Sequence, residues 1–337
     1  MPQFHNIAVL GAGAWGTALA VHLARVGHKV SLWTHSQTSC QKMLEAGENS
    51  RYLPGIGFPV NLTVTSHLAE AVDNADGVLV VVPSHVFREV IQQLSVLLAE
   101  EKPHIAWATK GFEPDSLLLL HKVAKQVLGA DVKTAVLSGP TFAKEVASGT
   151  PTAMVSASKY EDEAAFWAQA FHYDNFRIYT QNDVVGVEIG GAYKNIMAIA
   201  TGISDGLGLG ANARAALISR GMAEMMRLSN ALGGNPETMM GLAGWGDLVL
   251  TCTDDLSRNR RFGLQLAKPN AKVDDVIADI GQVVEGVKAV RAVKQIAERL
   301  ELDLPIMQSV YALVEGGITP QQAVKELLAR DGKSETE

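Results

Sequence analysis

Ile7-Ala8-Val9-Leu10-Gly11-Ala12-Gly13-Ala14-Trp15-Gly16 decides the fold. Four apolar residues read as a short buried strand, and Gly11-x-Gly13-x-x-Gly16 follows without a gap. Residues 17–26 then carry helical apolar spacing, with Gly27 placed to close that helix. Residues 29–33 read as a second strand. A glycine pattern alone is weak, but between a strand and a helix it is the fingerprint of a dinucleotide-binding turn. Gly11 permits the tight turn, Gly13 admits a pyrophosphate to the backbone, and Gly16 lets helix and strand pack closely. The helix start offers free N–H groups and a favourable dipole to the phosphates.

Strand readings continue at residues 77–82, 105–108, 135–137 and 153–155, with amphipathic helices between most of them. That alternation predicts a doubly wound Rossmann-type α/β domain with a parallel sheet. From about residue 184 the character changes. Helical spacing dominates at 185–202, 212–232, 273–280, 287–300 and 308–315, which predicts a second, all-helical domain. The expected division is 1–185 for the dinucleotide-binding domain and 186–330 for the helical substrate-binding and catalytic domain. The polar stretch 331–337 is expected to be a disordered tail.

With 337 residues, 47% of them hydrophobic and 19% charged, the chain has ample apolar material for two cores. A formal net charge of −7 argues against a nucleic-acid surface, although a small basic pocket would not show in that total. Cys40 and Cys252 stand far apart without ligand spacing and read as two reduced thiols, and no metal is expected. The sequence shows neither a leader nor an apolar run near the roughly 18 residues a membrane span needs. A cytoplasmic protein with no membrane partner follows as an expectation.

The end of the second strand, Leu32-Trp33-Thr34-His35-Ser36, lacks the carboxylate that an NAD-selective site usually sets against the ribose 2′-hydroxyl. NADP is therefore allowed as well as NAD. His35 either contacts a 2′-phosphate or is a solvated loop residue. Val82-Pro83-Ser84-His85 and Thr109-Lys110-Gly111 follow strands and fall at the ligand-binding edge, as does the small-residue turn Ser138-Gly139-Pro140-Thr141-Phe142-Ala143. Lys194 is the only charged residue between Ile189 and Ser204, on an apolar, glycine-dotted helix. Such a lysine either snorkels to water or has a function, and burial would lower its pKa toward proton-transfer range. Gly244-Trp245-Gly246-Asp247-Leu248 precedes Leu256-Ser257-Arg258-Asn259-Arg260-Arg261. Ser257 reads as a helix cap and Arg258 as a phosphate ligand, while Arg260 and Arg261 read as a solvated helix face.

These segments together resemble one family. Gly-Ala-Gly-Ala-Trp-Gly-Thr-Ala-Leu-Ala, Thr109-Lys110-Gly111, residues 137–147, 188–200, 202–208, 241–253 and 256–263 are similar to bacterial NAD(P)-dependent glycerol-3-phosphate dehydrogenases. The resemblance runs from the N-terminus to about residue 330. It implies a C-terminal domain like that of 6-phosphogluconate dehydrogenase. It also implies reversible reduction of dihydroxyacetone phosphate to sn-glycerol 3-phosphate, supplying glycerophospholipid synthesis. By position, it makes Lys194 the general acid/base, with Lys110 and Asp247 beside it. It assigns substrate contacts to Lys110, Gly139, Thr141, Lys194, Asp247, Ser257, Arg258 and Asn259. It places the cofactor against Ala14, Trp15, His35, Lys110, Ala143, Arg258, Val283 and Glu285. Position 14 is often serine in the family and is alanine here, so a hydroxyl contact to phosphate is lost while the backbone N–H contact survives. The sequence leaves open whether Asp247 orients Lys194 or a substrate hydroxyl, and whether the enzyme is a homodimer. Rival readings are a 3-hydroxy-acid dehydrogenase, a ketopantoate reductase, or a non-catalytic protein that kept the fold.

Overall fold

The computed structural model describes residues 4–98 and 102–329; the tail expected at 331–337 lies outside them. One eight-stranded sheet has the order β3-β2-β1-β4-β5-β6-β7-β8. Its strands are β1 (Asn6–Leu10), β2 (Lys29–Trp33), β3 (Leu62–Thr65), β4 (Gly77–Val80), β5 (His104–Trp107), β6 (Thr134–Ser138), β7 (Thr152–Ala157) and β8 (Phe176–Gln181). The connecting helices are α1 (Ala14–Val26), α2 (Gln37–Ala46), α3 (Leu68–Val72), α4 (Ser84–Leu97), α5 (Leu120–Leu128), α6 (Ala143–Ser148) and α7 (Glu161–Phe171). Strands such as β1 and β4 are apolar and buried because helices cover both faces, as crossover connections require. β1 lies between β2 and β4, so the strand order reverses there and opens a crevice at the carboxyl edge.

Two features depart from the expected parallel sheet. β3 and β8 are edge strands that the sequence pattern did not reveal. The step from β6 to β7 is antiparallel, with Ser138 opposite Val155 and Val136 opposite Ala157, and β8 runs parallel to β7. The last two strands therefore end at the edge where β6 begins, and Ser158 Oγ donates to Thr134 O there.

Every described element after Gln181 is helical: α8 (Val184–Gly206), α9 (Gly210–Leu232), α10 (Pro236–Met239), a π-helical turn (Leu242–Gly246), α11 (Asp247–Thr253), α12 (Arg258–Leu266), α13 (Val273–Ile280), α14 (Glu285–Arg299), α15 (Pro305–Val314) and α16 (Pro320–Leu328). Asp183 caps α8 by accepting from Gly186 N at 2.9 Å. α8 is buried almost along its whole length, as an all-round apolar helix must be, and it is packed by α9, α11, α12 and α14. Glycines make these contacts intimate. A Cβ on Gly202 would stand 2.2 Å from Arg260 O, and one on Gly263 would stand 2.2 Å from Ile199 O. No described helix is long and apolar enough to cross a membrane.

Candidate active site

The glycine turn is built for an extended phosphate group. Gly11 holds φ +118°, and a Cβ there would meet Val81 O at 2.7 Å, so only glycine fits. A Cβ on Gly16 would lie 1.8 Å from Gly11 O. Gly13 is different: a Cβ there would meet nothing within 4 Å. It stands as N-cap of α1 with no side-chain cap, so it supplies no side-chain acceptor to the first amides of the helix. Trp15 Nε1 is buried beside this turn without a protein partner. A pyrophosphate fits this cradle. Asn49, which sequence reasoning missed, holds the turn by donating to Ala12 O at 2.9 Å and to Thr17 Oγ1 at 2.8 Å. Only its place in a loop remote in sequence hid it.

At the end of β2 the Ser36 hydroxyl is taken as the cap of α2, accepting from Ser39 N at 3.2 Å. His35 is exposed and free to face a ribose substituent, and no acidic residue stands among residues 33–36. The other half of a dinucleotide would run over β4 and β5. A cleft there is lined by Pro83, Ser84, His85, Lys110, Asn195, Val283 and Glu285, so Val283, in the loop before α14, and Glu285, at its start, share one cleft with Lys110. Lys288 Nζ lies 3.0 Å from His85 Nδ1 across the cleft. Burial and then Lys288 lower the His85 pKa, against a smaller pull from Glu285.

Beyond the cleft sits a buried charge cluster. Asp247 is wholly buried; its Oδ2 accepts from Lys110 Nζ at 2.7 Å and its Oδ1 from Lys194 Nζ. The π-helical turn just before Asp247 sets the phase in which its carboxylate emerges, a common use of such turns at functional sites. Thr251 braces Asp247 through a 2.6 Å bond to its carbonyl. Gly191 leaves room for Lys110, whose Cδ would stand 3.2 Å from a Cβ at 191. Lys110 also lies 3.4 Å from Gly139 O, to which Thr141 Oγ1 donates at 3.3 Å. Gly139 holds φ +152° with Met154 Cα 2.9 Å from any added Cβ, so this close backbone approach excludes other residues. Ala143 begins α6 at the end of the same turn.

Desolvation lowers the Lys194 pKa from 10.5 to about 8; Lys110 pushes in the same direction and Asp247 opposes it. The snorkelling alternative is thereby set aside, since Lys194 is 7% exposed and its ammonium ends on a buried carboxylate. The structure also answers where Asp247 points: both of its oxygens are committed to lysines.

α12 brings the remaining polar groups. Ser257 caps it by accepting from Arg260 N at 3.2 Å, leaving its O–H hydrogen to donate elsewhere. Arg258 Nη1 donates to Gln282 Oε1 at 2.8 Å, from the loop before α14. Asn259 Nδ2 donates to Asn195 Oδ1 at 2.8 Å, and its Oδ1 accepts from Gly286 N at 2.9 Å. Sequence reasoning passed over Asn195 and Gln282, which gain meaning only from these contacts. One expectation is corrected. Arg260 is not on a solvated face: it is 7% exposed, with Nη1 on Asp205 Oδ2 at 2.7 Å. Arg261 is exposed, its Nη1 donating to Asp255 O at 3.0 Å.

Two family models match the chain: NAD-dependent glycerol-3-phosphate dehydrogenase N-terminus over residues 6–164, and the C-terminus of the same family over 183–325. A glycerol-3-phosphate dehydrogenase [NAD(P)+] of Hydrogenovibrio crunogenus is 63% identical over 334 residues, 98% of this chain and 97% of the relative. One of Xanthomonas euvesicatoria is 52% identical over 337 residues, 98% of this chain and 96% of the relative. The crystal structure of glycerol-3-phosphate dehydrogenase from Coxiella burnetii superposes with a TM-score of 0.93 at 46% identity, covering 97% of this chain and 99% of that one.

Proposed function

Since the chain belongs to the NAD-dependent glycerol-3-phosphate dehydrogenase family, we propose a residue-level account of how it performs that family's reaction. The enzyme is an NAD(P)-dependent oxidoreductase that interconverts dihydroxyacetone phosphate and sn-glycerol 3-phosphate, a precursor of glycerophospholipids. The carboxylate-substrate and non-catalytic alternatives fall with that membership.

In this account residues 1–185 hold the dinucleotide and residues 186–330 carry the acid/base lysine. The pyrophosphate rests on the amides after Gly13, against Ala14, Trp15 and Gly16, and His35 faces the adenosine ribose. Lys110, Ala143, Arg258, Val283 and Glu285 line the nicotinamide side. When bound, the nicotinamide supplies or accepts the hydride at the substrate carbon. Lys194 delivers the proton to the substrate oxygen as negative charge develops on it, and a pKa of about 8 keeps that proton both present and transferable near neutrality. Lys110 adds a second positive charge at the same oxygen, supported by the Gly139–Thr141 turn. Asp247 positions the two ammonium groups against each other and prevents either from swinging to water. The Arg258 fork, the Ser257 hydroxyl and the second N–H of Asn259 hold the substrate phosphate, which fixes the carbonyl within reach of both partners.

The observation that carries this reading is the sharing of one buried carboxylate by Lys110, from the sheet edge, and Lys194, from α8. A steady-state comparison of NADPH and NADH, each with dihydroxyacetone phosphate and with ketopantoate, tests it. Turnover confined to the phosphorylated ketone with both cofactors supports it, and comparable turnover of the carboxylate overturns it. The buried free thiols Cys40 and Cys252 suit the reducing cytoplasm. The assembly to test by light scattering is a homodimer, the commonest closed assembly of soluble enzymes.

A further inference from the structure

Arg260 belongs to none of the groups assigned above, yet it is the most buried arginine of the Arg258–Arg261 run. Its Nη1 lies 2.7 Å from Asp205 Oδ2, near the end of α8, and Arg214 of α9 reaches the same oxygen at 2.8 Å. Its Nε stands 3.0 Å from Asp255 Oδ1, off the N–H direction. Two carboxylates thus balance two guanidiniums where α8, α9 and α12 meet. Asp255 is exposed, but Arg260 and Asp205 are largely shielded from water. An ion pair held in this way costs desolvation, and replacing it by apolar residues is often neutral or stabilising. Stability alone is therefore a weak reason for the arrangement.

Placement gives a better one. Asp205 lies 11 residues after Lys194, about three turns along one helix and within about 20° of the same face. Neighbouring residues of α12 grip α8 at two levels: Asn259 bonds Asn195 at 2.8 Å beside Lys194, while Arg260 bonds Asp205 at the far end. The backbones touch between these points, where Gly202 meets Arg260 O. Arg260 is also tied to the phosphate cradle through its own amide, which donates to Ser257 Oγ at 3.2 Å.

We propose that Arg260, anchored on Asp205, is a positioning residue that fixes the register of the Ser257–Asn259 phosphate cradle relative to Lys194. It acts through α12 and does not touch substrate. If α12 slides along α8, a substrate gripped by its phosphate presents its carbonyl out of step with the Lys194 proton. A substrate without a phosphate is not gripped and is indifferent to the slide. The proposal rests on the assignment of Ser257, Arg258 and Asn259 to the phosphate.

The test measures kcat/KM of the full-length enzyme for dihydroxyacetone phosphate and for dihydroxyacetone in wild type, Arg260→Lys, Asp205→Asn and Arg258→Ala. The dissociation constant for NADPH, read by fluorescence, reports whether each variant retains the cofactor site. Arg260→Lys and Asp205→Asn are expected to lose about 10- to 100-fold on the phosphorylated substrate, as for small misplacements elsewhere. They should lose much less on dihydroxyacetone, and NADPH affinity should change far less than kcat/KM for the phosphorylated substrate, since the glycine turn that holds the pyrophosphate does not ride on α12. Equal losses on both substrates, or no loss on either in a folded variant, overturn the proposal. If Arg260→Lys does not fold, Asp205→Asn, which keeps the shape of the side chain, decides the outcome alone. Arg258→Ala separates the two levels: if it fails to discriminate between the substrates, the phosphate assignment itself is wrong. If it discriminates and the other two do not, only the positioning role falls.

Discussion

Gly190 packs directly beneath the carbonyl of Ala243, so close that a Cβ on residue 190 would stand 2.2 Å from the oxygen. This contact presses the π-helical turn onto α8 one helical turn before Lys194 and four residues before Asp247. Gly190→Ala must push the turn away and carry the Asp247 carboxylate with it. The expected result is a fall in kcat of about 10- to 100-fold with little change in cofactor affinity, because the glycine cradle is remote. Turnover measured beside NADPH binding by fluorescence checks it, and an unchanged kcat would show that the turn can yield without moving Asp247.

The lowered pKa of Lys194 sets the pH dependence of the reaction. Reduction of the ketone needs the ammonium form, so the reductive kcat should fall as pH rises through about 8. The oxidative direction needs the neutral amine and should rise over the same range. Asp247 raises this pKa, so Asp247→Asn should move the reductive limb to lower pH as well as slowing turnover. Lys110 lowers it, so Lys110→Gln should move the limb to higher pH. Lys194→Ala should abolish the limb and nearly all turnover, and profiles that keep the same limb without Lys194 would refute the assignment.

Arg258 is partly exposed and bonded only to Gln282 among the described contacts, so its guanidinium can be released to a ligand at small cost. A charge-assisted bond contributes roughly 1.5–3 kcal/mol, or about 10- to 150-fold in binding. Arg258→Ala should therefore raise KM for dihydroxyacetone phosphate by about that factor. Steady-state kinetics at saturating NADPH give the number directly.

Stability should fall in mild acid. Burial lowers the His22 pKa from 6.5 to about 4, and burial also lowers that of His28. Both rings lie close to backbone carbonyls of α7, His22 Nε2 being 2.8 Å from Phe171 O and His28 Nε2 2.8 Å from Ala170 O. The unfolded chain takes up protons below pH 6.5, where the folded His22 does not. Stability is thus fully present above 6.5 and declines as pH falls toward 4. His22 alone accounts for on the order of 3 kcal/mol across that window. Urea titrations of wild type and His22→Gln at pH 7 and pH 5 measure it; equal pH sensitivity in the two proteins would exclude His22 as a source.

The glycine turn and both strands beside it were legible because local geometry and local chemistry coincide there: residues 29–33 are β2 as expected. β3 and β8 were not legible, since Leu-Thr-Val-Thr is short and Phe176–Gln181 is largely exposed along its edge. The antiparallel turn from β6 to β7 was hidden too, because buried strands read alike in either direction. In the site, Lys194 stood out as a lone charge on an apolar helix. Arg260 was misread because its partner Asp205 lies 55 residues away, and a charge run shows no partners in one dimension. Asn49 and Asn195 carry no local signal at all, since their purpose is a contact across the fold.

The reversal at β6 and β7 makes α8 a ruler. The chain leaves β8 at the edge where β6 begins, yet the proton donor must stand at the opposite edge, level with Ser138. α8 climbs this height at about 1.5 Å per residue, and the stretch from Asp183 to Lys194 spans it in one uninterrupted rod. One residue more or fewer there would turn Lys194 by about 100° away from Asp247. The height of the sheet along its strands and the length of this helical rise are therefore a matched pair, and neither can drift without the other.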